Sequence, residues 1–155
     1  MLLSAFRKFA LFALVLAGFA ADYAFAEFML PPVEQSLLDN GLKIFFIRQN
    51  EVPLVHITLG LATGSAADGT QWGLASLTSA ALSVGTKSYS KQNIEDTLDF
   101  YGIEYQTSVN KDFITIEASV ATAELPKLMP ILSELVTAPK FPVNEFDKLR
   151  DRTVS

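Results

Sequence analysis

Phe113-Ile114-Thr115-Ile116-Glu117-Ala118-Ser119-Val120 alternates without a break: Ile114, Ile116, Ala118 and Val120 fall on one side, Thr115, Glu117 and Ser119 on the other. Successive side chains of a strand point to opposite faces, so this segment is a strand with one dry face. Just downstream the period changes. Leu125, Leu128, Met129, Leu132, Leu135 and Val136 recur at helical spacing and trace an amphipathic helix, which interior Pro130 is expected to kink and Pro139–Pro142 to end. Long adjacent segments of both periods predict an α+β fold, with helices packed on one face of an antiparallel or mixed sheet.

Upstream, Asn40-Gly41 supplies a turn, after which Leu42–Ile47 is dense in aromatic and β-branched residues and reads as a strand. A second strand follows at Val55–Thr63, and the short break at Asn50–Pro53 makes the two hairpin neighbours. From Gln71 the period turns helical: Leu74, Leu77, Ala81 and Val84 recur until Gly85. Ser90 is the N-cap of a second helix, with Ile94, Leu98 and Tyr101 on one face and Gly102 as its stop. Ile103–Val109 is a weaker strand before Phe113–Val120. Asn144 caps a last helix that turns Phe146 and Leu149 inward and is still running at Ser155. The predicted order is ββααββαα in two layers.

Composition narrows the function classes. Half of the 155 residues are hydrophobic, 19% are charged and the formal net charge is −5, with one histidine, His56, and no cysteine. Mean hydropathy is +0.29. Such a chain is neither a disordered tail nor a basic nucleic-acid binder, and it holds no disulfide and no thiolate metal site. The N-terminus has its own logic. Arg7 and Lys8 precede an uncharged run from Phe9 to Ala21, and Ala24-Phe25-Ala26 then precedes Glu27, the pattern of a secretory signal peptide cut between Ala26 and Glu27. The run is shorter than the ~20 residues that span a bilayer. Residues 1–26 are therefore expected to be a leader, 27–36 a proline-marked arm (Pro31, Pro32), and 37–155 an exported, periplasmic domain, incomplete at its C-terminus, with no membrane association after cleavage.

Six short elements in order carry a resemblance: Asn40-Gly41-Leu42, Pro53-Leu54-Val55, Gly64-Ser65, Gly73-Leu74-Ala75, Gly85-Thr86 and Pro139-Lys140-Phe141-Pro142. Over roughly residues 35–155 the chain resembles the N-terminal domain of the pitrilysin/insulinase-like metallopeptidases, which include the mitochondrial processing peptidase subunits. In catalytic members of that family the helix after Gly-Leu-Ala carries His-x-x-Glu-His, whose imidazoles bind zinc and whose Glu acts as general base on the metal-bound water. The match puts Ser76 and Ala80 at the two His positions and Ser79 at the Glu. All three chemical groups are replaced. A third ligand, a Glu in the family, would fall at or just beyond Ser155. Gln106 stands where the family has an Asn that frames the active site, a weak candidate for substrate binding. The resemblance implies a member without a zinc cofactor that binds peptide at a sheet edge and supports a homologous zinc-bearing subunit. Two competing readings are an active metalloendopeptidase with ligands in a missing C-terminal part, and a truncated remnant.

Other features read more plainly. His56 lies in a strand and is expected to be packed or hydrogen-bonded, without a function of its own. Ser88-Tyr89-Ser90-Lys91 has the Ser-x-x-Lys spacing of serine β-lactamases, but their Ser-Asp-Asn and Lys-Thr-Gly are absent and Ser90 serves better as a cap. Glu95, Asp96 and Asp99 form an acidic cluster expected to be a solvated helix face. Trp72 and Tyr89 flank the degenerate helix, either as binding surface or as core.

Overall fold

The computed structural model describes residues 31–154. The expected leader and its Ala26/Glu27 junction lie outside the described residues. The chain divides into two units, one up to Gln49 and one from Asn50 onward.

In the first unit, β1 (Val33–Leu37) pairs antiparallel with β2 (Lys43–Ile47), Val33 opposite Ile47 and Leu37 opposite Lys43. Gly41 N–H donates to Leu38 O at 2.9 Å and Leu38 N–H to Leu42 O at 2.9 Å, while Gly41 takes φ +83. This is a three-residue hairpin loop whose last position needs the left-handed conformation that glycine adopts without strain. Two expectations change here. The arm expected over 27–36 contains most of β1, and β2 pairs with β1 and not with β3, which belongs to a separate sheet. Asn40-Gly41 reverses the chain within three residues, whereas Arg48–Pro53 offers no glycine for a tight reversal. The observed order is thus βββααββαα.

The second unit is built on β3 (Leu54–Leu61), β4 (Glu104–Val109) and β5 (Ile114–Ala121), all antiparallel in the order β3-β5-β4. The register aligns one apolar face: Val55 opposite Val120, Ile57 opposite Ala118, Leu59 opposite Ile116, and Tyr105 opposite Ala118 on the other side. The four apolar residues of β5, Ile114, Ile116, Ala118 and Val120, are buried. Against them pack α1 (Leu74–Ala81, continued by a turn over Leu82–Val84), α2 (Lys91–Phe100) and α3 (Leu125–Thr137), contributing Leu82, Leu98, Leu128 and Leu132. A second cluster joins Ile94 of α2 to Ile131 and Leu135 of α3. α3 runs as one element through Pro130. The α+β expectation holds, with helices over one face of an antiparallel sheet.

α2 shows why these boundaries form where they do. The Ser90 hydroxyl accepts from Asn93 N–H at 3.2 Å while Ser90 N–H donates to Asn93 Oδ1 at 3.3 Å, a reciprocal capping box. At the other end Ile103 N–H donates to Leu98 O at 2.8 Å and Gly102 N–H to Asp99 O at 3.2 Å. With Gly102 at φ +60 and Ile103 packed beside Leu98, this is a Schellman closure. α4 (Val143–Val154) starts one residue before the expected cap. Asn144 sits inside its first turn, and the Pro142 carbonyl accepts from Glu145 and Phe146 N–H.

Candidate functional site

α1 lies against β4 and α4. Its N-terminus is organised by the loop just before it: the Asp68 carboxylate accepts from Gly73 N–H at 2.9 Å and from Ala75 N–H at 2.8 Å. A carboxylate there satisfies otherwise unpaired N–H groups and complements the positive end of the helix dipole. Preceding it, Gly64 packs so closely on the β4–β5 loop that a Cβ would meet the Lys111 carbonyl carbon at 2.6 Å, while Ser65 N–H donates to Asn110 O at 2.9 Å.

On that helix the three positions differ in surroundings. Ser76 is exposed and Ala80 half-buried, whereas Ser79 is 3% exposed with its hydroxyl sealed from solvent and without a hydrogen-bond partner. Residues at i, i+3 and i+4 share a face, so a ligand set placed here would converge. Zinc does not fit the groups present. Two neutral hydroxyls and a methyl supply neither imidazole nor carboxylate, and the one imidazole of the chain is engaged elsewhere. Among the described residues no group of three or more His, Cys, Asp or Glu is placed to hold a metal ion.

That imidazole is on the open face of the sheet. His56 Nδ1 is 2.9 Å from Ser119 Oγ, and Thr58 Oγ1 is 3.4 Å from Nε2, so His56 is hydrogen-bonded as expected, on the exposed polar face. Gln106 is exposed on the same face and donates its amide to the Glu117 carboxylate. His56, Glu104, Gln106, Glu117 and Ser119 line a shallow concavity of about 200 Å³. Gln106 is thus tied to Glu117 and not to Ser76, Ser79 or Ala80.

Glu95, Asp96 and Asp99 line a second, wider concavity of about 410 Å³ beside Gln92 and Tyr105. Gln92 donates to Asp96 at 2.7 Å and Lys91 lies 3.6 Å from Glu95, the pairing of a solvated helix face. The Tyr105 hydroxyl is buried without a partner, and burial pushes its pKa up to about 12. Ser88 and Lys91 are both committed to structure. Ser88 donates its hydroxyl to Glu134 at 2.7 Å and its N–H at 2.9 Å, and Lys91 also pairs with Glu145 at 3.5 Å. Thr86 donates a third bond to Glu134 at 2.8 Å. These donors hold the Glu134 carboxyl below the usual carboxylate range, the Ser88 hydroxyl contributing most and Thr86 next. Tyr89 packs on the cluster of Ile94, Ile131 and Leu135, whereas Trp72 is 93% exposed. Sequence reasoning passed over Asp68, which reaches the helix start from five residues upstream where a cap stands next to it, and Glu134, which acts on a segment that only the fold brings to it.

Residues 43–155 match the family model described as insulinase, peptidase family M16. Among solved structures the chain is similar to a peptidase M16 inactive domain from Pseudomonas fluorescens, at 24% identity and a TM-score of 0.74, over 78% of this chain and 30% of that one. It is also similar to a protease from Helicobacter pylori, at 19% identity and a TM-score of 0.72, over 79% of this chain and 30% of that one. These likenesses concern the fold, and the chain spans about 30% of the length of either structure. No curated protein matches.

Proposed function

This chain belongs to the insulinase family, peptidase family M16, and on that footing we propose that it is a non-catalytic member, exported to the periplasm, which binds peptide and supports a homologous zinc-bearing subunit in proteolysis. The observation that carries this reading is Ser76, Ser79 and Ala80 on one face of α1: no metal ligand and no general base stand where catalytic relatives carry theirs. The helix itself is kept. Asp68 accepts from two of its N-terminal N–H groups, and Ala75, Ala81 and Leu82 are buried.

The sheet supports the peptide-binding part of this reading. Among the described residues β3 and β4 each have a neighbour on one side only, so their outer edges carry unpaired N–H and C=O groups that an extended peptide can extend as a further strand. Gln106 projects from β4 beside such a strand, where its amide can bond a peptide side chain in place of Glu117.

The test is biochemical. The purified protein is analysed for zinc, and peptide binding and cleavage are measured alone and with a co-purifying homologue. Peptide binding without cleavage, together with higher turnover by the homologue, is expected. Stoichiometric zinc with chelator-sensitive cleavage by this chain alone overturns the reading.

A further inference from the structure

The Asn40-Gly41 turn carries a chemistry that peptide binding does not use. Asn40 and Gly41 are both exposed at the tip of the β1–β2 hairpin, and nothing lies within 4 Å of where a Gly41 side chain would begin. Asn40 Oδ1 accepts from Leu42 N–H at 3.1 Å, which folds the side-chain amide back over its own peptide bond to Gly41. We propose that Asn40 is a site of intramolecular deamidation that rewrites this hairpin covalently.

The backbone nitrogen of Gly41, giving its proton to solvent base, attacks Asn40 Cγ. The new N–Cγ bond forms as the Cγ–Nδ2 bond breaks, and the amide nitrogen leaves as ammonia after taking a proton from water. Water then adds to one of the two carbonyls of the five-membered imide. Opening at the side-chain carbonyl gives aspartate, and opening at the backbone carbonyl gives isoaspartate. No electron is gained or lost, and water is the sole co-reactant. Either product adds one negative charge to a chain already at −5.

Two features single out this asparagine. Glycine has no side chain to hinder ring closure, whereas Asn50, Asn93, Asn110 and Asn144 are followed by Glu51, Ile94, Lys111 and Glu145. The competing amides of Asn93 and Asn110 are also held, Asn93 in the capping box and Asn110 by the N–H groups of Asp112 and Phe113. At Asn40 two bonds act as the brake: Gly41 N–H to Leu38 O, which must open before the nitrogen can attack, and Leu42 N–H to Asn40 Oδ1, which holds the side-chain amide. Ring closure therefore reports the opening of the turn. Isoaspartate inserts one extra backbone carbon, which the loop closed by the Leu38–Leu42 bond cannot take up while Leu37 stays opposite Lys43.

The full chain, incubated at mildly alkaline pH with and without urea, is digested and mapped by mass spectrometry and by an isoaspartyl methyl-acceptor assay. Loss of the amide is expected at Asn40 ahead of the other four asparagines, faster in urea than in the fold, with isoaspartate mapped to residue 40 and none at that residue in Asn40→Gln. An intact Asn40, equal loss at another asparagine, or equal rates with and without urea overturns the proposal.

Discussion

Ser79 holds a hydroxyl where water does not reach and no acceptor waits. A buried polar atom without a partner keeps its desolvation cost, so Ser79→Ala is expected to stabilise the fold by up to about 1 kcal/mol, read as a raised urea midpoint with an unchanged slope. Asp68 behaves in the opposite way. It serves two N–H groups of the α1 terminus, and Asp68→Ala is expected to cost about 1 kcal/mol, as for loss of a helix cap. Both effects are measurable by equilibrium unfolding. That Ser76, Ser79 and Ala80 share one face of α1 was legible in the sequence, because helical spacing after Gly73-Leu74-Ala75 puts them there. Their unequal burial was not, since it depends on which elements close over the helix.

Between elements, Gly64 and Glu134 fasten segments distant in the chain. A methyl group at Gly64 would enter the backbone of Lys111, so Gly64→Ala is expected to force the 64–67 turn off the β4–β5 loop and lower Tm, with loss of amide-exchange protection at Ser65 and Ala66. Glu134 ties Thr86 and Ser88 to α3, and its folded pKa is depressed. Its contribution is therefore complete above the ordinary carboxylate pKa and is lost as pH falls from there toward the folded value. Unfolding measured across that acidic range is expected to show less loss of stability on acidification in Glu134→Gln than in the parent chain. Local signals were readable here: Ser90 and Gly102 bound α2 because their bonds reach only a few residues, and the alternation of β5 sets its inward face. Non-local choices were not. β1 was hidden behind Pro31-Pro32 in a segment, Val33–Leu37, with polar residues at its centre, and the partner of β2 was decided by a turn and not by proximity to β3. Glu134 meets Ser88 across 46 residues, a distance over which no spacing rule operates.

For the molecule as a whole, the proposed non-catalytic reading predicts indifference to metal. A ligand stabilises a fold by binding it, so neither added zinc nor a chelator is expected to move Tm, whereas a zinc-binding relative under the same conditions shifts. The sheet of the second unit has a different whole-chain consequence. β5 has two neighbours and is the last of its three strands to be synthesised. His56 and Ser119, hydrogen-bonded across the β3–β5 pair, are 63 residues apart. β3 therefore leaves the ribosome long before its partner exists, and the first bond between them must close a long loop of chain. Until then the Val55, Ile57, Leu59 and Leu61 row stands open to any other nascent chain, so the passage from synthesis to fold, more than the folded state, is where this protein is exposed to aggregation.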